Sequence, residues 1–586
     1  MEDIILSEDQ IVHFNRINND IATKHPFILN TSQTGSGKTI DVIQFIRVNK
    51  IKRVIVICNG SLHIDHWRSH FEKYQITSAT ILTYDTLRGS RTILFNGRQM
   101  VQHGLLYKDE DEYEPTETFK MWIEEGLLLV CDECHLIKND SGRTNSVKAL
   151  SRYITIRNLS LPLPHFKSWT MFLSATPYDL PIHTINFAQV CGVIRSDTLY
   201  CKETDKPKGI LELYQYCNHF NPEQTNIIWG TYDIKSKNVT DVVYKLMTDV
   251  FLRLISSFAL NCQRNYLSKQ SVYYAYFDID KVGIEMMKRA LAMIKAPIRN
   301  KFQHVHQYKI EPLCELNDTS LVTNPEINSV LDVNDPVKEL SNLFNSITLK
   351  SNLIDRDGVI HGMITCQSVK TFFAVLKFVT HIFNTVENSK IVIFLNYKES
   401  IDIIMRYLSH YNPVKITGDS ECTEEVRNRI RSKFNEPNLE SRLLLIISQV
   451  GSDGIELDDK NGSFPRIGLG FPDFYHSRFF QCPGRLFRRY TKSNSLFFWC
   501  LINSDECPEE SVFKSINNKS KVMEETLQNN QIIPPIYYEK IVNPDLMDLN
   551  LLLANAGIKS LKPDEPVGLV ENKIIRITKS SMSKKF

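Results

Sequence analysis

Five short apolar runs, at residues 27–30, 54–58, 79–84, 127–131 and 168–173, alternate with stretches of helical periodicity. Each run is apolar on both faces and ends in polar or turn-forming residues, as a parallel strand covered on both sides does. Strand–helix alternation of this kind predicts a doubly wound α/β sheet. The pattern returns at 391–395, 414–417, 443–448, 466–470 and 495–501, which predicts a second α/β unit. A chain of 586 residues is too long for one core, since domains run to roughly 100–200 residues each. The expected division is a first lobe at 1–191, a largely helical insertion with linker at 192–362, a second lobe at 363–505 and a C-terminal extension with a basic tail at 506–586.

Composition excludes several classes. Apolar residues make up 42% of the chain and charged residues 23%, so a packed fold is expected. Thirteen cysteines, an odd number scattered through a long chain, do not form the framework of a small secreted scaffold. Residues 1–10 are acidic and lack an apolar signal region, and no apolar run reaches bilayer length. The expectation is a soluble protein of the reducing cytoplasm with no membrane partner. The net charge of +2 neither selects nor excludes a polyanionic partner, because a local basic surface suffices.

The first chemical signal is Thr34-Gly35-Ser36-Gly37-Lys38-Thr39, between an apolar run and a helical stretch. Gly35 and Gly37 let the backbone turn and approach phosphates, with amide N–H groups pointing inward. The helix N-terminus adds partial positive charge. Lys38 would reach the β- and γ-phosphates, and Thr39 would ligate Mg²⁺. Ser32 stands where the full phosphate-loop pattern has its first glycine.

Asp132-Glu133-Cys134-His135 directly follows the run at 127–131. A carboxylate at a strand end near a phosphate loop can hold the Mg²⁺ shell, the role expected of Asp132. The adjacent Glu133 can orient and activate water, which favours hydrolysis over phosphotransfer. The Cys131/Cys134 spacing lacks a second pair at finger spacing and so makes a poor zinc site. Ser174-Ala175-Thr176-Pro177 follows the run at 168–173, where small hydroxyl residues can bond the acidic motif.

In this order, TGSGKT, DECH and SATP resemble the first lobe of superfamily 2 helicases. The resemblance implies two RecA-like lobes sharing one site for ATP and Mg²⁺. It also implies that Ser174, Thr176 and His135 couple hydrolysis to strand binding, and that an upstream glutamine, here Gln10, reads adenine. The second unit carries Gln481-Cys482-Pro483-Gly484-Arg485-Leu486-Phe487-Arg488-Arg489, which looks like the family's QxxGRxxR motif. A helix would put Arg485 and Arg488 on one face, where with Gln481 they would serve catalysis. Such an arginine finger is worth about 10³–10⁵ in rate. The alternative is a basic surface helix. The segment at 450–457 resembles the fifth motif, with Gly454 in a coupling role and Glu456 replacing the usual aspartate. The segments at 391–400 and 417–419 look like the fourth motif and the short strand end that follows it.

Residues 55–71 and 81–87 resemble segments of chromatin-remodeller-type and poxvirus-type ATPases that lie along a nucleic-acid backbone. Ser61, Thr83, Tyr84 and Thr86 are the corresponding candidate phosphate contacts, whereas core packing is the preferred reading of Trp67. Nearer relatives are suggested among helicases of large cytoplasmic DNA viruses and of yeast linear cytoplasmic (killer) plasmids. That implies DNA or RNA as a partner, RNA polymerase or other transcription and replication proteins as further ones, and a virion as a second location if the source is viral.

Three alternatives stand beside this reading: an RNA helicase of processing or transcription termination, a nucleotide-binding subunit of a transcription assembly that has lost hydrolysis, and a small-molecule phosphotransferase. Retention of Lys38, Asp132, Glu133, Arg485 and Arg488 argues against the second. The acidic stretch at 108–117 is expected to be a solvated loop. The tail, with Lys573, Arg576, Lys579, Lys584 and Lys585, is either a solvated end or an arm on phosphates.

Overall fold

The computed structural model describes residues 4–257 apart from scattered positions, the strand Gln270–Phe277, much of 375–502, and isolated positions near 512–522, 558 and 575–577. Thr34, Gly35 and Gly454 lie outside the described residues. The chain divides by contacts into one unit of Met1–Asn265 with Asn517–Pro534, and another of Tyr266–Ile516 with Pro535–Phe586.

In the first unit the chain forms β1 (Phe27–Asn30), β2 (Arg53–Cys58), β3 (Ala79–Thr83), β4 (Thr92–Phe95), β5 (Arg98–Val101), β6 (Leu106–Asp109), β7 (Glu112–Pro115), β8 (Leu127–Asp132), β9 (Trp169–Leu173), the short pair β10 (Tyr200–Cys201) and β11 (Lys206–Pro207), and β12 (Ser256–Ser257). The main sheet has the order β12-β1-β9-β8-β2-β3 and is parallel throughout. Its strands alternate side chains between two cores. Phe27, Leu29, Leu127, Leu129 and Cys131 enter one, while Ile28, Leu128 and Val130 enter the other. Period-two alternation with both faces apolar is what helices on both sides of a sheet require. Each fully buried Phe or Leu contributes about 1.5–3 kcal/mol relative to exposure.

The strand β9 lies between β1 and β8, with Leu173 in register with both Asn30 and Asp132. The carboxyl ends of the phosphate-loop strand, the SATP strand and the DECH strand are therefore adjacent. Ligands of open α/β sheets bind at these ends.

One local expectation is corrected. The acidic stretch is not a loop: β6 and β7 pair antiparallel and complete a four-stranded sheet of order β4-β5-β6-β7. Its carboxylates are on outward positions, while Leu106 is buried, so the charge masked a strand pattern. The described part of the expected helical insertion, up to Ser257, packs on the first unit. Gly209–Phe220, Pro222–Thr231 and Val239–Leu246 bury Leu213, Ile228 and Val243 in the first unit's core, and β12 extends its sheet. The contact boundary consequently falls at Asn265/Tyr266 rather than at 191/192 or 362/363.

The second unit comprises β13 (Gln270–Phe277), β14 (Lys390–Leu395), β15 (Val414–Ile416), β16 (Leu443–Ile447), β17 (Arg466–Gly470), β18 (Ser495–Ile502) and β19 (Ile575–Ile577). Their order is β15-β16-β14-β17-β18-β13-β19, again parallel. Gly468 is required inside β17, since a Cβ there would come within 2.5 Å of the Phe497 ring. Part of the expected tail, Ile575–Ile577 with Arg576, is the sheet's edge strand. Together the two units give the expected α/β architecture of tandem doubly wound sheets.

Candidate active site

The phosphate loop leaves β1 and re-enters helix at Lys38–Val48. Gly37, at the helix N-cap, has φ +99°, and a Cβ on it would come within 2.5 Å of Gln10 Nε2. Glycine is therefore required by the left-handed backbone, and a Cβ would also push the Gln10 amide aside. Gln10, on the N-terminal helix Glu8–Asn15, donates its Nε2 to the Ser36 carbonyl at 2.9 Å. This fixes the upstream glutamine against the loop. Lys38 Nζ donates to the Ser32 carbonyl at 2.8 Å, which turns the ammonium back toward the end of β1.

Asp132 ends β8, and its carboxylate is held by three donors. Oδ2 accepts from Trp67 Nε1 at 2.9 Å and from His63 Nδ1 at 3.3 Å, and Oδ1 accepts from the Glu133 amide at 3.1 Å. Tyr84 donates its hydroxyl to the Asp132 carbonyl at 2.8 Å. The next residue, Glu133, adopts φ 54°, ψ 51°. Left-handed backbone at a non-glycine residue costs on the order of 1–3 kcal/mol and concentrates at functional sites. Burial pushes the Glu133 carboxyl up, but the His135 hydrogen bond and the charges of His135, Lys38 and His63 outweigh it and hold it down at about 2. A carboxylate kept ionised in a buried site can accept a proton from water.

His135 Nδ1 lies 3.2 Å from Glu133 Oε2 and 3.3 Å from Ser174 Oγ, and Ser174 Oγ accepts from the Thr176 amide at 3.1 Å. A continuous polar path thus joins the water-activating candidate to the SATP segment, bringing together His135, Ser174 and Thr176 of the residues assigned to coupling. All of these side chains are buried.

The candidate nucleic-acid contacts divide. Thr83 caps the helix Tyr84–Arg88 by accepting from the Thr86 amide, and Thr86 is exposed. Ser61 lies in the first turn of the helix Gly60–Lys73. Tyr84 is corrected: it is 2% exposed, and its hydroxyl is directed to Asp132, so it supports the acidic motif instead of meeting a phosphate. Trp67 is buried as expected, yet its N–H also serves Asp132.

In the second unit the helix His476–Gln481 is followed by the turn of helix Pro483–Leu486, which carries Arg485. Gln481 and Arg485 are buried. Phe487 is extended, with φ −106° and ψ 108°, so Arg488 is off the helix. The expectation that helical spacing puts both guanidiniums on one face is corrected accordingly. The Arg488 amide is held instead by Thr491 Oγ1 at 3.0 Å.

Sequence reasoning missed two buried polar clusters. His13 Nε2 lies 3.1 Å from Asp41 Oδ2, which also accepts from Asn30 Nδ2 at 3.0 Å, and His13 Nδ1 lies 2.8 Å from Ser257 Oγ. Asp179 binds Lys138 Nζ at 2.6 Å and His183 Nδ1 at 2.7 Å, with Lys519 Nζ at 4.0 Å. Asp41 and His183 at helical apolar spacing gave the only available signal, a polar residue inside a core stripe. Their partners are too distant in sequence to be read from it.

The donor set fits a hard divalent cation. Thr39 supplies a hydroxyl and Asp132 a carboxylate, both oxygen ligands of the Mg²⁺ type. Adjacent residues of one helix touch them: His66 Nε2 lies 3.4 Å from Thr39 Oγ1, and Trp67 binds Asp132. Among the described residues no cluster of three His, Cys, Asp or Glu could form a protein-only metal cage. Mg²⁺ needs none, because it is bound through few carboxylates plus phosphates and water.

Residues 3–179 match the family model described as type III restriction enzyme, res subunit. That span contains Gln10, Lys38, Asp132, Glu133, Ser174 and Thr176. The chain is also 24% identical over 237 residues to the DNA repair and recombination protein RAD54 of Saccharomyces cerevisiae. The match covers 36% of this chain and 25% of that protein, so the chain spans about a quarter of the relative's length. Both similarities support the superfamily 2 helicase type. Helicase-type ATPases of this kind work with ATP and Mg²⁺.

Proposed function

We propose that this protein hydrolyses ATP with Mg²⁺ in response to nucleic acid and moves along it as a helicase or translocase. The observation that carries the reading is the line of groups at adjacent strand ends: Lys38 beyond β1, Asp132 and Glu133 at β8, and Ser174 at β9, with His135 touching both Glu133 and Ser174. Magnesium bound at Thr39 and Asp132 would supply charge neutralisation at the phosphates. The ionised Glu133 orients water and takes its proton. Lys38 balances charge on the phosphates. His135 and Ser174 relay the state of this site to the segment after β9. Arg485 and Arg488, with Gln481, act on charge developing during hydrolysis. Gln10 selects adenine at the loop.

DNA is favoured over RNA as the partner, supported by the similarity to a DNA repair and recombination protein. Ser61, Thr83 and Thr86 are assigned to its phosphates. The setting suggested by the sequence is transcription or replication of a cytoplasmic DNA element, with RNA polymerase or a replication protein as a further partner.

The test is single-turnover ATP hydrolysis with separate measurement of ATP binding. Lys38→Ala should lose turnover, whereas Glu133→Gln should bind ATP·Mg²⁺ and hydrolyse it at least about 100-fold more slowly. Normal hydrolysis in both variants would remove the assignment.

A further inference from the structure

We propose that Trp67 and His63 are positioning residues for Asp132, and that they set the metal affinity of the nucleotide site. The inference rests on the metal role given to Asp132 above. An ionised carboxylate accepts only, and an indole N–H donates only. The 2.9 Å contact from Trp67 Nε1 to Oδ2 therefore has a fixed direction. His63 Nδ1, at 3.3 Å from the same oxygen, must be the protonated ring nitrogen to add a second donation. The Glu133 amide holds Oδ1. Donors on both oxygens fix the rotation of the carboxylate about its Cβ–Cγ bond, and Oδ1, with a single donor, keeps a lone-pair direction for a cation or its water.

The supporting frame is rigid. Trp67 is fully buried and packs against Phe71 with ring centroids 5.5 Å apart, and His63 is 7% exposed. They lie four residues apart, on one face of the helix Gly60–Lys73. The neighbouring His66 reaches Thr39, the other expected ligand, at 3.4 Å. A single helix thus touches both oxygen ligands. Partners of metal ligands typically change affinity by about 10–100-fold when removed, because they orient the ligand and tune its basicity.

The experiment titrates Mn²⁺ into the full chain with saturating ADP, reading free Mn²⁺ by electron paramagnetic resonance, and measures ADP binding in EDTA in parallel. Trp67→Phe keeps an aromatic ring, smaller than the indole, and loses the N–H. His63→Ala loses its donor, and His63→Asn retains one near the Nδ1 position. The expected result is Mn²⁺ binding weakened about tenfold or more in Trp67→Phe and His63→Ala, largely restored in His63→Asn, with ADP affinity in EDTA unchanged. In an Asp132→Asn background, Trp67→Phe should add no further loss. This cycle separates positioning from general damage to the fold. Mn²⁺ affinity unchanged in both Trp67→Phe and His63→Ala would overturn the inference and leave the site reading intact. A wild-type chain that binds ADP but no Mn²⁺ with it would overturn the metal role of Asp132, and the inference with it.

Discussion

His13 Nε2 lies 3.1 Å from Asp41 Oδ2, and both side chains are almost fully buried. The pair ties the N-terminal helix to the helix that begins at Lys38, and through Ser257 to the edge strand β12. Removing one partner of a buried hydrogen bond leaves the other short of a partner, at a cost of about 1–3 kcal/mol. His13→Ala should therefore destabilise the first unit by about that much in chemical denaturation. A change below about 0.5 kcal/mol, the range of ordinary surface substitutions, would show that the contact carries little.

Gln10 and Gly37 make a steric prediction. The backbone at Gly37 is left-handed, with φ +99°, and a Cβ there would stand 2.5 Å from the Gln10 amide nitrogen. Gly37→Ala must therefore strain the left-handed loop backbone and push the Gln10 side chain off the Ser36 carbonyl. ATP affinity should fall by at least about tenfold, or about 1.4 kcal/mol. Gln10→Ala opens the space and should keep ATP binding while reducing its preference over GTP. Competition binding with the two nucleotides checks both; unchanged discrimination would remove Gln10 from base recognition.

Asp179 predicts a pH dependence. Burial pushes its carboxyl up, but the His183 hydrogen bond and the Lys138 charge prevail and hold it well below the usual carboxylate range. A depressed folded-state value contributes stability above the unfolded pKa of about 3.9 and loses it as pH falls through and below that value. The melting temperature of the first unit should drop on acidification from about pH 5 to 3. Asp179→Asn should be less stable at neutral pH and should show a shallower drop over the same window. Parallel curves for the two proteins would remove Asp179 as a source of the acid sensitivity.

The sequence made the strands legible because buried parallel strands are apolar on both faces, as β1, β8 and β16 are. The chemistry-bearing residues at their ends were legible for the same reason: Lys38, Asp132, Glu133 and Ser174 each follow such a run. What failed depended on tertiary partners. The carboxylates of β6 and β7 read as a loop because their neighbours across the hairpin were unknown. Tyr84 read as a phosphate contact because its partner, the Asp132 carbonyl, lies 48 residues away. Arg485 and Arg488 read as one helical face because local spacing does not reveal the extended Phe487. Where the helices of 209–246 pack was not legible, because their burial on the first sheet is set by contacts across the unit.

The central claim is a triphosphate site whose turnover answers to nucleic acid, and steady-state ATP hydrolysis tests it most directly. Turnover is measured with no polymer, then with single-stranded DNA, duplex DNA and RNA, in the wild-type chain and in Lys38→Ala. The account predicts low basal turnover, a rise of at least about tenfold with DNA that salt suppresses as phosphate contacts are screened, and none in Lys38→Ala. Turnover that is the same with and without every polymer, or that survives in Lys38→Ala, would contradict it.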